Sequence, residues 1–371
     1  VCMNQLFRWD QTGLFLLALA AGILPFAVPE VCAAALREGL TLCSGPLLLS
    51  LFPFLVVSRL LIQCPESDLL ALPFRLAAWG IGIRTPCAAR VLCIGFLGGF
   101  APAASAAAQA VRTGQITAEE ADALLPACIC SGPSFVVLTV GQSLLGSAEL
   151  GVLLFASQIT ANYLTAALLN RFAGVRSVKP GSAVPAFPAP PRLDEILADA
   201  AITYCKLCGF ILFFRMLAAG AGALLPAGAG TLCSILLEVC SGCDLASRTG
   251  RWGSLLCCAA LSVQGLSVLL QVRTICPPEM TLRPLYRARL LHLPLSLALF
   301  YLLLPGGEAD VFSTLPARVL LMRRVPPDCA LLVFAVCCMA ACALRSGIRQ
   351  VEQKQMARNA GGCCINSKTL L

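Results

Sequence analysis

The chain has 371 residues, of which 58% are hydrophobic and 12% charged, and its mean hydropathy is +0.84. Soluble domains carry about a quarter charged residues, so this composition excludes an ordinary soluble protein. The net charge of +8 comes from 27 Lys and Arg against 19 Asp and Glu, with the basic residues in short loops and the C-terminal tail. That distribution fits the positive-inside rule rather than a nucleic-acid-binding face. We therefore predict an all-α, polytopic membrane helical bundle whose partner is the lipid bilayer and not nucleic acid.

The 22 cysteines lie mostly inside apolar runs, where a free cysteine behaves as a small hydrophobic residue. Two C-x-x-C pairs occur, Cys205/Cys208 and Cys240/Cys243, and random placement of so many cysteines gives about one such pair. We predict no disulfide framework, no metal and no cofactor. The first ten residues lack a basic segment followed by a cleavage site, so the first apolar run is expected to be retained as a span.

Segments of about 20 mostly apolar residues can cross a bilayer as helices. The candidate segments are 11–29, 40–62, 88–111, 149–172, 203–225, 252–272, 284–304 and 328–345. The run 69–83 carries Arg75 near its centre and Trp79 close by, which indicates an interfacial or tightly packed segment. Thr117 and Glu120 have the spacing of a capping box and predict a short acidic helix over 118–126, outside the bilayer.

A proline-rich stretch divides the chain. Residues 174–192 contain five prolines, which predicts an extended polar linker. The predicted organisation is a first membrane repeat with the N-terminal span (1–173), the linker (174–192), a second membrane repeat (193–305), a loop and C-terminal span (306–345), and a basic tail (346–371). The basic tail favours a cytoplasmic C-terminus.

Several apolar runs are interrupted by glycine, proline or serine, and the interruptions recur in the same order on either side of the linker. Residues 52–59 match 209–215, Gly99 matches Gly242, and 130–138 match 263–271, which aligns Gly132 with Gly265. Backbone groups freed at such interruptions cannot face lipid. The pattern predicts two structural repeats with broken (half) helices, in which 40–172 superposes on 203–304.

Broken helices in repeated membrane proteins commonly meet near the bilayer midplane and form the transport site, where their N-termini suit an anion. The candidate substrate-binding residues are Gly99, Ser131, Gly132, Pro133, Ser134, Glu238, Ser241, Gly242, Gln264, Gly265, Ser267 and Gln271. We expect Ser131–Ser134 and Gln264–Ser267 to face each other across a polar cavity. The alternative is that these small residues permit close helix packing, and that Gln264 and Gln271 form hydrogen bonds between helices.

Glu238 is nearly the only acidic residue inside an apolar run. An ionisable group at such depth is a functional hypothesis by default, so we expect Glu238 to border the cavity. The alternative is an internal ion pair with Arg215 or Arg59. His292 is the only histidine and lies between leucines, which favours a packed state, and no catalytic spacing occurs, so no enzyme is predicted.

The same elements resemble a known family, the sporulation integral membrane proteins of the YlbJ type, which carry the nucleoside-transporter Gate (nucleoside-recognition) domain. The resemblance is carried, in order, by 51–58, 95–100, 117–125, Ser131-Gly-Pro133 with Val140-Gly141, Leu237-Glu238 with Ser241-Gly242, 264–268 with Gln271, and Tyr286 with Arg289. It implies a role in spore formation, in the cell membrane or a membrane around the forespore. It also implies movement of a small organic anion, dipicolinic acid, toward the spore.

The chain departs from the family pattern at two places. Residues 99–105 lack the second glycine and the lysine that usually follow the first glycine interruption, and Ile129 and Cys130 stand where the family tends to carry asparagine. Both changes remove polar groups from the expected site, so the substrate stays open. The alternatives are a nucleoside transporter and a non-transporting scaffold in spore formation, with a homo-oligomer or other sporulation membrane proteins as partners.

Overall fold

The structure is a computed structural model that describes residues 11–63, 67–173 and 192–304. Within these ranges the chain is helical and contains no strand. The predicted span 328–345, the basic tail and all of the linker except Arg192 lie outside the described residues. The first five α-helices are α1 (Gln11–Ala27), α2 (Pro29–Ser44), α3 (Pro46–Gln63), α4 (Ser67–Leu70) and α5 (Leu72–Gly80).

The remaining helices form the centre of the molecule. They are α6 (Pro86–Gly98), α7 (Phe100–Arg112), α8 (Ala118–Cys128), a π-helix (Ser134–Leu144), α9 (Ala148–Ala173), α10 (Leu193–Leu224), α11 (Ala227–Leu237), α12 (Val239–Ser247), a short 3₁₀ turn (Gly250–Trp252), α13 (Gly253–Val263), α14 (Gly265–Ile275) and α15 (Arg283–Leu303). Helix α10 packs against α2, α3, α11 and α14, while α9 packs against the π-helix, α8 and α15.

Four helical segments of the described chain are long and apolar enough to cross a membrane: Pro29–Leu49, Ala148–Ala173, Leu193–Leu224 and Gly250–Ile275. The sequence predicted more spans than these four, and local features of two predicted spans explain part of the difference. Apolar run 88–111 is divided at Gly99 into two helices of 13 residues each, too short to cross a bilayer alone. Helix α15 is long enough, but Arg283, Arg287 and Arg289 lower the hydropathy of its first half.

The segment predicted to lie at the membrane interface forms α4 and α5. Leu76 and Trp79 on α5 are 72% and 52% exposed, and the Arg75 guanidinium lies 6.0 Å from the centre of the Trp79 ring. An exposed apolar face next to an Arg–Trp pair is typical of helices that lie in the headgroup region. The interfacial position of 69–83 stays a prediction.

Helix α8 begins with the predicted capping box. The Thr117 hydroxyl accepts from the Glu120 amide at 3.1 Å, and the Glu120 carboxylate accepts from the Thr117 amide at 3.3 Å. The helix is nevertheless buried in the main core, with Glu120 only 3% exposed. Glu120 and Asp122 therefore serve internal hydrogen bonds, while Glu119 is exposed.

A second acidic residue of α8, Asp122, holds the start of α15 through three hydrogen bonds. The Asp122 carboxylate accepts from the backbone amides of Thr281 (2.8 Å) and Leu282 (3.1 Å) and from the Thr281 hydroxyl (2.6 Å). Leu282 precedes α15 in a left-handed conformation with φ of 57°, which a leucine adopts only when its surroundings enforce it. Asp122 is thus the residue that fixes the direction in which α15 leaves the turn.

We expect Asp122→Ala to lower the free energy of unfolding by about 2–4 kcal/mol, because it leaves the buried Leu282 amide and the partly buried Thr281 amide without a charged acceptor. Asp244→Ala is the matched control, since Asp244 pairs only with the exposed Arg248 one turn away, a contact worth at most about 0.5 kcal/mol. Thermal unfolding of both purified variants measures the difference. Equal losses in the two variants would contradict the assigned role of Asp122.

Candidate functional site

Four helix interruptions lie in the interior, and the first is at Gly99 between α6 and α7. Gly99 has φ of 81° and ψ of −164°, and a Cβ placed on it would lie 2.6 Å from the Gly132 amide nitrogen. That backbone region is accessible almost only to glycine. Two backbone segments therefore touch directly here, which requires glycine at position 99. Pro102 lies in the first turn of α7, where proline is tolerated.

The second interruption is the non-helical segment 129–133 between α8 and the π-helix. Its freed carbonyl at Ile129 accepts from the Asn162 side-chain amide at 3.2 Å and from the Arg289 guanidinium at 3.0 Å. Arg289 also donates to the side-chain oxygen (Oδ1) of Asn162 at 3.1 Å. Arg289 is only 8% exposed. A buried cation thus neutralises the carbonyl end of α8, a function that the sequence interpretation did not assign to Arg289.

The third interruption is at Glu238, between α11 and α12. The Glu238 carboxylate is 2% exposed and accepts from the amides of Cys240 (2.9 Å) and Ser241 (2.7 Å), so it caps the helix that it begins. The sequence interpretation put the interruption at Ser241-Gly242, and this was wrong because both residues lie inside α12. Gly242 is a packing residue: a Cβ there would lie 2.8 Å from the Ile235 Cα.

The ion pairs considered for Glu238 are absent among the described residues. Arg59 pairs with Asp199 at 2.7 Å, and Arg215 pairs with Glu38 at 2.7 Å. The described contacts of the Glu238 carboxylate are backbone amides. The interpretation of Glu238 as an ion-paired strut is therefore wrong, and its charge is balanced by the partial positive charge of a helix N-terminus.

The fourth interruption is at Gln264, between α13 and α14. Gln264 and Gly265 both have positive φ, of 63° and 68°, and a Cβ on Gly265 would lie 3.0 Å from the Leu237 carbonyl and the Glu238 amide. The third and fourth interruptions are thus packed backbone to backbone, as are the first and second. Gln264 is 1% exposed, and its Oε1 has no hydrogen-bond partner among the described residues.

A cavity of about 50 Å³ lies between the two pairs of interruptions. Its wall contains residues from α3, α7, α10, α12, α14 and the π-helix. The lining residues are Leu47, Leu51, Gly98, Phe100, Ser131, Gly132, Ser134, Phe135, Ile211, Glu238, Val239, Cys240, Val268 and Gln271. Ligand pockets usually measure about 300–1,000 Å³, so the space in this conformation is small, and Ser134 at its wall is exposed.

Five of the predicted site residues line this cavity: Ser131, Gly132, Ser134, Glu238 and Gln271. The others lie behind its wall. Ser267 is 1% exposed and accepts from the Gln271 side-chain amide at 2.9 Å, so it orients Gln271 rather than facing the space. Gly99, Gly242 and Gly265 make the close backbone contacts described above, and Ser241 donates its amide to Glu238.

The geometry differs from the expected one in two respects. Segment 131–134 faces the Glu238 interruption across the cavity, while Gln264 and Gly265 pack behind Glu238. The reason is that Gly265 lacks a side chain and lets α14 approach the α11–α12 backbone. The wall is also more apolar than expected, because Leu51, Phe100 and Phe135 contribute to it.

The chemistry of the cavity combines donors and acceptors. The N-termini of α7, the π-helix and α12 reach it through Phe100, Ser134 and Val239, and each such end carries a partial positive charge. Glu238 occupies the amides of α12, whereas the other two ends have no acidic cap. Gln271 also lines the cavity, and its Oε1 atom is buried without a hydrogen-bond partner among the described residues.

Two further buried groups lie outside the cavity. His292 is fully buried, and its Nε2 lies 3.2 Å from the Gln158 carbonyl oxygen, in agreement with the packed state expected from sequence. Gln158 in turn donates to the Ser262 hydroxyl at 3.0 Å. This polar network joins α9, α13 and α15 next to the second interruption.

Comparison of the chain with protein-family models, with curated proteins and with solved structures finds no match.

Proposed function

We propose that this protein is a membrane carrier or facilitator for a small organic solute, with a small organic anion as the first candidate. The observation that carries the proposal is that three of the four helix interruptions line one cavity, through Gly98 and Phe100, through residues 131–134 and through Glu238. Interrupted helices at membrane depth are tolerated where they are buried in protein or line a cavity, and in transporters they form the substrate site. The uncapped N-termini of α7 and the π-helix favour an anion there.

The proposed mechanism uses two structural repeats, 40–172 and 203–304, each with its pair of broken helices. Support comes from the similar construction of the pairs: Gly99 packs on the Gly132 backbone, and Gly265 packs on the Glu238 backbone. In this scheme Glu238, rather than Gly242, corresponds to Gly99. Rocking of one pair against the other would widen the cavity and open it to either side of the membrane in turn.

The family resemblance supplies a specific candidate solute. If the chain acts as the YlbJ-type proteins do, it moves dipicolinic acid toward the developing spore from the membrane that surrounds it. A planar dianion needs hydrogen-bond donors at both ends, and the Ser131 and Ser134 hydroxyls together with the two uncapped helix N-termini provide them. Dipicolinate is therefore the first solute to test.

The test is uptake of labelled dipicolinate by proteoliposomes that contain the purified protein. We expect wild-type uptake above that of empty liposomes, and we expect Ser134→Leu to reduce it to about a tenth or less, because a leucine side chain would fill much of a cavity of about 50 Å³. Ser143→Leu is the matched control, since both serines are exposed on the same π-helix but only Ser134 lines the cavity.

Three results would count against the proposal: no uptake by the folded wild type, normal uptake by Ser134→Leu, or equal loss in both variants. Absence of uptake for every solute tested would favour the non-transporting scaffold. Ser267→Leu is not an informative substitution in this test, because Ser267 is buried and bonded to Gln271, so the larger side chain would overpack the helix.

A nucleoside is the second candidate solute, and one observation favours it. The cavity wall contains a carboxylate, Glu238, and a carboxamide, Gln271, whose Oε1 has no partner among the described residues. Such acceptors suit the hydroxyl donors of a ribose. Competition distinguishes the candidates: excess uridine should inhibit dipicolinate uptake strongly only if the site is built for a nucleoside.

A further inference from the structure

One buried side chain joins the two pairs of interruptions. The Arg289 guanidinium, on α15, donates through Nη2 to the Ile129 carbonyl oxygen at 3.0 Å and through Nη1 to the Ser262 carbonyl oxygen at 3.4 Å. Ile129 directly follows α8, at the second interruption, and Ser262 lies in the last turn of α13, just before the fourth. The same guanidinium therefore contacts the C-terminal ends of two helices, one from each pair.

The charge of Arg289 is balanced by these helix ends and not by a carboxylate. Arg289 is 8% exposed, and no acidic side chain forms an ion pair with it in the described part of the chain. A helix C-terminus carries roughly half an elementary negative charge, so the ends of α8 and α13 together provide about one. One guanidinium neutralises that charge, which compensates the cost of burying a cation.

The position of the guanidinium is fixed by Asn162 on α9. The Asn162 side-chain amide donates to the Ile129 carbonyl oxygen at 3.2 Å, and its Oδ1 accepts from Arg289 at 3.1 Å. Two backbone carbonyl oxygens and one carboxamide oxygen thus surround the cation, and all three oxygens are uncharged. In membrane carriers with broken helices, unwound carbonyls and helix C-termini of this kind bind the mobile coupling ion.

We propose that Arg289 is a fixed cation in the place of a mobile coupling ion, so that the protein moves its solute without a Na⁺ or K⁺ gradient. The inference rests on the proposed function for its statement about transport. A mobile ion that binds at such a junction crosses the membrane with the solute, and its gradient then drives the solute. A guanidinium attached to α15 cannot cross, so no ion gradient acts through this junction.

The first experiment removes the side chain and asks whether the junction still binds a cation. Arg289→Ala leaves the three oxygens in place, and it should lower the unfolding temperature of the full chain in nanodiscs by at least about 5 °C. Guanidinium at up to about 50 mM, far below denaturing concentrations, should restore much of this loss and reach saturation. Tetramethylammonium has the same charge but no N–H donor and should restore nothing. Arg287→Ala removes an exposed arginine of the same helix and should respond to neither cation.

A second pair of variants separates charge from packing. Arg289→Lys keeps a positive charge with N–H donors, whereas Arg289→Met keeps a long side chain without charge. We expect Arg289→Lys to unfold at least about 5 °C above Arg289→Met. Equal behaviour of these two variants, whether both fold or neither does, would overturn the assignment of Arg289 as a fixed cation. Absence of a guanidinium effect in folded Arg289→Ala would overturn it as well.

The transport arm of the test exchanges the ions. Dipicolinate uptake by proteoliposomes with the wild-type protein should proceed at equal rates in sodium, potassium and N-methylglucamine chloride. Uptake that stops without Na⁺ or K⁺ would overturn this inference and leave the carrier intact. A folded protein that takes up no solute, but whose Arg289→Ala variant is stabilised by guanidinium, would refute the carrier and with it the statement about coupling. Arg289 would then remain the fixed cation that joins α8 and α13.

Discussion

Replacement of Gly99 by alanine is expected to destabilise the protein more than any other glycine substitution at the site. The added Cβ would lie 2.6 Å from the Gly132 nitrogen and 3.2 Å from the Cys130 carbonyl oxygen, both backbone atoms that cannot rotate away. The backbone conformation itself costs a non-glycine residue about 1–3 kcal/mol, and overpacking adds about 1–3 kcal/mol. The expected loss in the free energy of unfolding is therefore about 2–6 kcal/mol.

Gly82→Ala is the matched control for this prediction. Gly82 also has a positive φ, of 88°, but a Cβ there has open space around it. The Gly82→Ala variant therefore shows the cost of a positive φ without steric overlap of the added Cβ. Thermal unfolding and the yield of membrane-inserted protein should both separate the two variants, with Gly99→Ala the lower. If Gly99→Ala unfolds at the temperature of Gly82→Ala, the Gly99 and Gly132 backbones are not in the contact described.

The features that could be predicted from sequence are those determined by neighbouring residues. The all-helical character follows from the apolar runs, and the capping box at Thr117 follows from a three-residue spacing; the structure confirms both. Gly99 separates α6 from α7, and residues 130–133 lie in the gap between α8 and the π-helix, at two of the places where the sequence predicted interruptions. Each depends on the intrinsic backbone preference of glycine or proline.

The features that were missed depend on which groups the fold brings together. Glu238 caps α12 through the nearby amides of Cys240 and Ser241, but the approach of Gly265 to the Glu238 backbone comes from another helix. The sequence does not show this approach, so it did not distinguish Glu238 from Gly242 as the point where α11 ends. The bond from Arg289 to the Ile129 carbonyl joins residues 160 positions apart. The signal that could have identified it was an arginine inside a predicted span, which requires a polar partner.

A second cavity, of about 210 Å³, lies in line with the central one along the same helices. On α3, Leu51 lines the central cavity and Arg59 lines the second one, and Leu55 lies between them on the same face, one turn from each. At 1.5 Å per residue, Leu51 and Arg59 are about 12 Å apart along the axis. On α10, Ile211 lines the central cavity and Leu207, one turn earlier, lines the second one. Leu55 and Leu207 are fully buried and belong to one apolar cluster.

Glu238→Gln is expected to change the solute preference in a direction that identifies the solute. The substitution keeps the size of the side chain and one acceptor oxygen, but it removes the negative charge from the cavity wall and leaves one of the amides of Cys240 and Ser241 without its acceptor. Loss of such a cap costs about 0.5–2 kcal/mol, which a folded protein tolerates. The effect on transport should be larger, because charges a few ångströms apart interact by about 4 kcal/mol near a protein surface.

The Michaelis constant for uptake is the quantity to measure, for dipicolinate and for uridine in parallel. If the solute is an anion, removal of the Glu238 charge relieves repulsion, and the constant for dipicolinate should fall by about tenfold. If the solute is a nucleoside, loss of the carboxylate acceptor should raise the constant for uridine by about the same factor. Glu149→Gln, an exposed glutamate in the first turn of α9, should change neither constant. Unchanged constants in Glu238→Gln would mean that no solute passes this carboxylate, and the central cavity would then be a packing defect in a scaffold rather than part of a transport path.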